Sequence, residues 1–326
     1  MIKLSIERND ADQRLDRFLK KYLANAPLSY IYKIIRKDVK INGKRGKEDT
    51  VLKEGDELSL YISDDDFAKL TAVKRKTVRA KKQFKIAYED ENILVAEKPF
   101  GLLTHGDSHE KKNTLANQVI DYLIEKGDYN PRTERTFTPA PANRLDRNTT
   151  GLVIFGKNAE ALRELNSMLR DRTAVSKYYI TVVRGALDEE LVLEDRLVKN
   201  HELNKVKVLS KDSKEGRAIT TIIRPLEKGK WYSLVEAELV TGRTHQIRAH
   251  LKSAGYPLIG DSKYGDPRVN RLVADKFNLN TQLLHAYRLL FGEVEGLLSY
   301  MSGKEIKAGI PENFNLILDS LVKGKK

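Results

Sequence analysis

The sequence predicts an α+β protein: a large domain built on a mixed, mainly antiparallel sheet, preceded by a small α/β domain. Between residues 177 and 240, five segments have the composition of strands and few helices separate them, which favours antiparallel pairing over β-α-β winding. The first 63 residues instead show two amphipathic helix patterns and a hairpin signal. We therefore expect a small domain at residues 1–63, a basic linker at 64–83 and the large domain at 84–326.

The composition is that of a basic chain without cysteine. Its 59 Lys and Arg residues against 46 Asp and Glu give a net charge of +13, which indicates a polyanionic partner, most often a nucleic acid. The absence of cysteine excludes disulfides, Cys-ligated zinc, iron–sulfur clusters and thiol nucleophiles. No apolar run approaches the roughly 18–20 residues of a membrane span, and the N-terminus lacks the form of a signal peptide. We expect a cytoplasmic protein without an anchor.

The sequence of residues 1–63 predicts a helix–helix–hairpin module. Apolar residues at positions 15, 18, 19, 22 and 23 have helical spacing, and Asp12 is placed to cap that helix. A second helix is expected to begin at Ser29 and to carry a basic side. Residues 39–41 alternate as a strand does, Asn42-Gly43 is a strong hairpin signal, and residues 57–62 alternate again.

The predicted linker at 64–83 begins with three aspartates and then becomes strongly basic. No acidic residue occurs between Asp66 and Glu89. A block of like charge is typical of a flexible segment, and such a segment can become ordered against RNA. The basic residues of the linker are Lys69, Lys74, Arg75, Lys76, Arg79, Lys81 and Lys82, and Lys85 follows shortly after it.

The large domain is predicted to contain short strands with a few helices. We expect strands at 84–88 and 93–96, a turn with a further extended segment at 98–105, and a helix at 114–125. A strand at 152–155 and a helix capped by Asn158 follow. Strands at 177–183, 192–198, 205–209, 217–223 and 232–240 then precede a helix at 245–254, in which His245 and Arg248 share one face.

Residues 142–157 contain the candidate catalytic carboxylate. Asp146 lies between Arg144 and Arg147, turn-forming residues follow at 148–151, and the apolar run at 152–155 is typical of a buried strand. A rigid strand can hold a loop carboxylate in place. Asp146 is either a turn residue paired with one of its neighbouring arginines or an ionised carboxylate that acts as a nucleophile, and the local sequence leaves both open.

Several motifs occur together along the large domain. They are Arg144-Leu145-Asp146 with residues 149–151, the segment 98–102, the segment 177–179, residues 241–248 with His250, and residues 257–261, 264–265 and 284–286. In this order they resemble the motifs of the RluA-type pseudouridine synthases, and the resemblance covers about residues 84–300. Residues 27–32 are most similar to the RluC branch, which modifies large-subunit ribosomal RNA.

The N-terminal module has a resemblance of its own. With residues 14–16 in its first helix and residues 39–43 after its second, it resembles the S4 RNA-binding domain. That resemblance implies that its basic side contacts a phosphate backbone, whereas the alternative is an ordinary solvated charged face. The RNA-binding candidates in this S4-like module are Lys33, Arg36, Lys37, Lys40 and Lys44.

The family resemblance implies a reaction and assigns residues to it. The bond between uracil N1 and the ribose breaks, the base turns, and it is rejoined through C5. Asp146 is then the nucleophile or base, and whether it attacks the ring or acts on the ribose stays open. A guanidinium keeps it ionised, for which we expect Arg248, with Arg243 as the alternative. Tyr179 is expected to stack on the target base and to take part in proton transfer.

The same resemblance implies that the partner is RNA and that no cofactor or metal ion is needed. The base must leave its helix to react. Arg144 is then expected either to fill the space that the base vacates or to hold a phosphate, and Arg147 and Arg243 are expected to contact RNA. The family often has His at the position of Asn143 and Ser at that of Thr150, so local hydrogen bonding is expected to differ. We expect a monomer that needs no cofactor. We also expect no metal ion, since His105, His245, His250 and His285 lack a metal-binding spacing.

Three rival functions remain at the level of sequence. The first is the same chemistry on transfer RNA in place of large-subunit (23S) ribosomal RNA. The second is a non-catalytic RNA-binding or ribosome-assembly protein, which the joint presence of Asp146, Tyr179 and Arg248 disfavours. The third, a metal hydrolase, would lose its activity with a chelator.

Overall fold

The structure, a computed structural model, describes residues 1–72, 80–171, 174–200 and 205–324. The chain forms two compact units. The first comprises Met1–Lys82, Asn117–Ala140 and Gly156–Arg163, and the second comprises Gln83–Ala116, Pro141–Phe155 and Glu164–Lys326. Among the described residues, no helix has both the length and the apolar character that crossing a membrane requires.

The first unit contains a four-stranded antiparallel sheet with helices against it. Its sheet has the order β1-β4-β2-β3, and its core is formed by the apolar sides of the two predicted helices together with Val39, Leu58 and Leu60. The N-terminal elements are β1 (Ile2–Ser5), α1 (Leu15–Tyr22), α2 (Leu28–Lys37), β2 (Val39–Ile41), β3 (Lys44–Arg45), β4 (Glu57–Leu60) and α3 (Asp64–Leu70).

The helix–helix–hairpin order predicted for the module is confirmed. The turn between β2 and β3 is made by Asn42 and Gly43, which have φ angles of 49° and 77°, the left-handed conformation that a two-residue hairpin loop requires. The expected cap is wrong. Asp12 itself has φ of 57°, α1 begins only at Leu15, and the Asp12 carboxylate lies 3.0 Å from the Lys53 ammonium.

The region predicted as a linker begins with a helix. In α3, the Ser63 hydroxyl accepts a hydrogen bond from the Asp66 backbone N–H at 3.1 Å, and three aspartates occupy the first turn, where a helix favours negative charge. Of the basic block that follows, Lys74, Arg75, Lys76 and Arg79 lie outside the described residues. The domain boundaries at 63 and 84 stay a prediction.

The second unit holds a large mixed sheet. The sheet has the order β11-β10-β12-β13-β9-β14-β8-β6-β5, with β15 beside β14 and β7 beside β8. The remaining elements of the chain are β5 (Lys85–Glu89), β6 (Ile93–Lys98), α4 (Leu115–Lys126), β7 (Ala140–Pro141), β8 (Thr150–Gly156), α5 (Ala159–Asp171), β9 (Val175–Arg184), β10 (Leu191–Asn200), β11 (Lys205–Ser210), β12 (Arg217–Lys228), β13 (Tyr232–Leu239), α6 (Gln246–Ser253), α7 (Pro267–Phe277), β14 (Leu284–Phe291), a 3-10 helix (Gly296–Met301), β15 (Glu305–Lys307) and α8 (Glu312–Leu321).

The predicted fold class is confirmed. Strand β14 pairs with β8 in parallel, whereas the β5–β6, β9–β13, β9–β14, β10–β11, β10–β12 and β12–β13 pairs are antiparallel. Helices α7 and α8, which the sequence did not predict, cover the sheet with Val273, Phe314 and Ile317 against Ile180 and Val182 of β9. Residues 102–105, which were expected to be extended, form only an isolated bridge from Leu103 to Thr114.

The parallel pairing of β8 with β14 fixes the strand that follows the candidate carboxylate. Gly151 in β8 has φ of 109°, and a Cβ built on it would lie 2.1 Å from the backbone oxygen of Ala286 in β14. Only glycine allows this approach of the two strands. The loop that carries Asp146 is therefore followed at once by a strand that is fixed against its neighbour.

Candidate active site

An open, strongly basic pocket lies in the second unit. Its volume is about 940 Å³, and the Asp146 loop, strand β9, and the turn and helix after β13 contribute to its walls. Among the described residues that line it, eight are lysine or arginine and two are aspartate. Such an excess of positive charge in a concave surface attracts polyanions. The acidic side chains are Asp107 and Asp146, and the basic ones are Arg144, Arg147, Arg170, Lys177, Lys199, Arg243, Arg248 and Lys263.

Side chains hold the part of the loop that precedes Asp146 at two points. The Asn143 amide oxygen accepts a hydrogen bond from the Ile154 N–H at 2.8 Å, which ties the start of the loop to β8. The Leu145 backbone makes hydrogen bonds with the Thr104 hydroxyl through both its N–H, at 3.2 Å, and its carbonyl, at 3.1 Å. Asn143, where the resembled family often has His, thus acts as a backbone clamp in this chain.

Arg248 is the guanidinium that contacts Asp146. Its Nη1 donates to Asp146 Oδ2 at 3.0 Å, while its Nε and Nη2 donate to the two carboxylate oxygens of Asp261 at 2.7 and 2.8 Å. The Arg248 side chain is 5% exposed, that of Asp261 is fully buried, and that of Asp146 is 26% exposed towards the pocket. A bidentate pair of this kind fixes the plane of the guanidinium, and hence the direction in which Nη1 donates to Asp146.

The electrostatics favour the charged forms of Arg248 and Asp261. Burial opposes the charge of Arg248, but its hydrogen bonds and ion pairs with Asp261 and Asp146 outweigh burial and raise its pKa. Burial alone would raise the pKa of the Asp261 carboxyl, but Arg248 and the backbone N–H groups of Lys263 and Tyr264 lower it. Asp146 therefore faces a permanent positive charge that is itself neutralised from behind.

Tyr179 lines the same pocket from strand β9. It is paired with Ala237 on one side and Ala286 on the other, and its side chain is buried. Burial, together with the negative charge of Asp146, raises the pKa of the phenol far above its ordinary value. Because neighbours in a strand point to opposite faces, Tyr178 lies on the other side of the sheet, where the Arg288 guanidinium stacks 3.7 Å from its ring centroid.

The predicted RNA-binding residues fall into two sets. Arg144, Arg147 and Arg243 line the pocket together with Asp146. In the first unit, Lys33, Arg36 and Lys37 are exposed on α2, Lys44 is exposed on β3, and Lys40 is half-buried. The Lys40 ammonium lies 5.3 Å from the centre of the Tyr61 ring.

Sequence reasoning gave no role to Lys98, which the structure places directly behind the Asp146 loop. Its buried ammonium donates to the carbonyls of Leu102 at 2.7 Å, Arg147 at 2.9 Å and Pro99 at 3.1 Å. Burial lowers the pKa of Lys98 to about 7, although the charge of Asp146 opposes that shift. Lys98 thereby joins the turn at 99–102 to the residue that follows Asp146.

Asp261 was also given no role, and the sequence contains only a weak signal for it. It lies 13 positions from Arg248 along the chain, a separation that no helical or strand periodicity connects. Its place within a short run of motif residues was the available indication.

Two buried histidines, His250 of α6 and His285 of β14, make hydrogen bonds with side chains of the sheet, whereas His105 and His245 line the pocket. His250 Nδ1 lies 2.9 Å from the Thr221 hydroxyl and its Nε2 lies 3.2 Å from Asp195, and His285 Nδ1 lies 2.7 Å from the Thr150 hydroxyl. Burial lowers the pKa of His285 to about 4. In the part of the chain that the structure describes, no three His, Asp or Glu side chains are grouped so as to hold a metal ion.

Comparisons with known proteins converge on one family. Residues 92–253 match the family model described as RNA pseudouridylate synthase. The chain is 34% identical to ribosomal large subunit pseudouridine synthase C of Vibrio vulnificus over 295 residues, which cover 88% of this chain and 87% of that protein. It is also 34% identical to the Escherichia coli K12 protein of the same name over 294 residues, which cover 88% of each chain.

Solved structures agree on the fold. Human RNA pseudouridylate synthase domain containing 4 superposes with a TM-score of 0.56 at 22% identity, covering 72% of this chain and 91% of that one. Human RNA pseudouridylate synthase domain containing 1 gives a TM-score of 0.55 at 20% identity, covering 77% and 90%.

Proposed function

This chain belongs to the RNA pseudouridylate synthase family, and we propose that it converts specific uridines of large-subunit (23S) ribosomal RNA to pseudouridine with Asp146 as the reacting carboxylate. The relatives that it matches along most of their length are named for the large ribosomal subunit, and this supports the choice of substrate. The observation that carries the proposed role of Asp146 is its contact with Arg248 at 3.0 Å inside a basic pocket.

The proposed chemistry needs an ionised carboxylate in a partly buried position. Arg248 holds a positive charge against Asp146 at 3.0 Å, and the pair that Arg248 makes with buried Asp261 prevents it from turning away. Asp146 then adds to the ring or acts on the ribose, so that the bond from N1 to the sugar is broken. The free base turns and is rejoined through C5, after which the C5 hydrogen leaves as a proton to solvent and N1 takes up a proton, so that the reaction is an isomerisation overall.

Tyr179 is proposed to hold the base in position. Its ring lines the pocket beside Asp146 and is offered for stacking on a uracil that has left its helix. Because burial and Asp146 raise the pKa of the phenol, Tyr179 keeps its proton at neutral pH. It can therefore donate a proton during the reaction and adds no second negative charge to the site.

Basic side chains in both units are proposed to bind the RNA backbone. Arg144, Arg147 and Arg243 would contact phosphates around the flipped nucleotide, because they line the pocket. The exposed side of α2 and the β2–β3 hairpin would form a second RNA surface, as in an S4 domain. Its residues are Lys33, Arg36, Lys37, Lys40 and Lys44.

We further propose that the protein acts in the cytoplasm as a monomer and without a cofactor or metal ion. The reaction is an isomerisation with no net redox change, so the carboxylate, the guanidinium and the phenol can carry it.

Pseudouridine mapping on unmodified ribosomal and transfer RNA transcripts tests this proposal. The unmutated protein should introduce pseudouridine into large-subunit RNA, and Asp146→Asn should introduce none while it still binds RNA. Asp275→Asn, which makes the same change at an exposed position on α7, serves as the matched control and should retain activity. Signal only in transfer RNA would refute the substrate, and full activity of Asp146→Asn would refute the nucleophile.

A further inference from the structure

His245 lies with a largely covered side chain beside the reacting carboxylate, and the proposed reaction does not use it. It immediately precedes α6 and adopts a left-handed conformation with φ of 55°. Its side chain is 9% exposed, and its Nε2 lies 3.8 Å from Asp146 Oδ2. A non-glycine residue in this conformation is uncommon and persists only where its surroundings require it.

The hydroxyl of Tyr264 determines which nitrogen of His245 carries the proton. Tyr264 Oη accepts a hydrogen bond from the Val206 backbone N–H at 2.8 Å and lies 3.0 Å from His245 Nδ1. A phenol has a single proton to donate, and the backbone N–H cannot accept it. The phenol oxygen could also accept from an Nδ1–H, but its own proton would then have no acceptor among the described residues. The arrangement that satisfies every group has the phenol donating to Nδ1.

A neutral ring whose Nδ1 accepts a hydrogen bond has its own proton on Nε2. Burial lowers the pKa of His245, Asp146 raises it, and Arg248 and Lys263 lower it again, with a net shift downwards. The ring is therefore neutral at pH 7. Its Nε2–H faces Asp146 Oδ2, and a movement of about 1 Å brings the two atoms to hydrogen-bond distance.

We propose that His245 is a positioning residue for Asp146, held by Tyr264 as the tautomer that presents Nε2–H to Oδ2. Arg248 Nη1 contacts the same oxygen at 3.0 Å. With Oδ2 engaged by both side chains, the carboxylate is oriented so that Oδ1 is left for the substrate. This inference rests on the role that the proposed function gives to Asp146.

Tyr264 contributes to the same arrangement in a second way. The Arg248 guanidinium lies 5.3 Å from the centre of its ring, and the His245 ring meets it edge-on at a centroid distance of 5.6 Å. Tyr264→Phe keeps both ring contacts and removes the hydroxyl, together with its hydrogen bond from the Val206 backbone N–H. The variant therefore separates the effect of the hydroxyl from the effect of the ring contacts.

Nuclear magnetic resonance tests the tautomer without reference to activity. Long-range 1H–15N spectra of the 15N-labelled full chain distinguish the two neutral tautomers and the imidazolium. The chain has six histidines, and His245→Gln assigns the signal by its disappearance. We expect the Nε2-protonated form at pH 7 and a shift away from it in Tyr264→Phe. An Nδ1-protonated or doubly protonated ring in the unmutated protein would overturn the proposal, whether or not the variants fold.

Tritium release from a large-subunit ribosomal RNA transcript labelled at uridine C5 tests the role in the reaction. His245→Leu should lower kcat about tenfold with KM unchanged, since misorientation of a reacting group slows the chemical step. His245→Gln, whose amide N–H can replace Nε2–H, should recover most of that loss. His109→Leu, an exposed histidine outside the pocket, is the matched control and should leave kcat unchanged.

The outcomes separate this inference from the proposed function. Unchanged kcat in a folded His245→Leu variant, or a loss that appears only in KM, overturns the positioning role even if Asp146→Asn is inactive. An active Asp146→Asn would instead overturn the function of the carboxylate, and the positioning role would fail with it. Circular dichroism of each variant verifies that it has folded before its rates are compared.

Discussion

Asp261→Asn is predicted to lower the free energy of unfolding by about 3–5 kcal/mol. The Asp261 carboxylate is fully buried and accepts two hydrogen bonds from Arg248, at 2.7 and 2.8 Å. Asparagine keeps an oxygen for the neighbouring backbone N–H groups, but it removes the charge and turns an N–H towards the guanidinium. Breaking this buried ion pair leaves the Arg248 charge with only the partly exposed Asp146 carboxylate as its counter-ion, and this loss produces the predicted magnitude.

The pH dependence of this difference has a definite sign. The pKa of the Asp261 carboxyl is lowered below its ordinary value of 3.8 because, despite burial, Arg248 and two backbone N–H groups favour the anion. A depressed carboxyl pKa contributes stability that is present above the unfolded pKa and lost as pH falls through the folded one. The difference between the unmutated protein and Asp261→Asn should therefore be constant from about pH 5 to 8.

Urea unfolding followed by circular dichroism measures the effect. Asp266→Asn is the matched control, because that side chain caps α7 and asparagine caps equally well. Asp266 also pairs with partly exposed Arg184 at 2.5 Å, an ion pair that contributes at most about 1 kcal/mol. Equal destabilisation by the two substitutions, or a loss below about 1 kcal/mol in Asp261→Asn, would refute the reasoning about the buried pair.

Three further predictions concern the frame of the site, its buried lysine and the first unit. Gly151→Ala should lower the free energy of unfolding, measured in urea, by more than about 3 kcal/mol, because its Cβ would overlap the β14 backbone. The control is Gly303→Ala, which is also at positive φ but has open space around it and should cost about 1 kcal/mol. Because burial lowers the pKa of Lys98 from 10.5 to about 7, the free energy of unfolding should rise with pH between these two values. Urea unfolding at a series of pH values should show this rise in the unmutated protein and not in Lys98→Met. The same dependence of stability on pH in both proteins would contradict the prediction. Replacing three basic residues of α2 by glutamine should weaken RNA binding. In titrations at several salt concentrations, the slope of the logarithm of the binding constant against the logarithm of the salt concentration should become shallower by about 0.7–0.9 per lost phosphate contact. An unchanged slope would count against an RNA surface there. The three residues are Lys33, Arg36 and Lys37.

The parts of the fold that were predicted correctly depend on local signals. Asn42-Gly43 requires left-handed conformations that few other residues adopt readily, so the hairpin could be predicted from two residues. The strand after the Asp146 loop and the helix capped by Asn158 follow from apolar periodicity and from a side chain that bonds the Ala161 N–H at 2.9 Å. These patterns act within a few residues and need no knowledge of the tertiary structure.

The parts that were missed depend on distant partners. The Asp12 cap failed because Asp12 bonds Lys53, a residue 41 positions away, and takes a left-handed conformation. Helices α7 and α8 are stabilised by packing against β9, which no local pattern reveals. In the site, the motifs indicated Asp146 and Arg248, but the buried pair that Arg248 makes with Asp261 became visible only once the chain was folded.

A single-turnover measurement of tritium release tests the central claim most directly. A large-subunit ribosomal RNA transcript labelled at uridine C5 is mixed with excess protein, and RNA binding is measured in parallel. The unmutated protein should release tritium, and Asp146→Asn should be slower by at least about a thousandfold at equal binding. Release at an undiminished rate by Asp146→Asn would contradict the account, because the carboxylate held by Arg248 would then not be the reacting group.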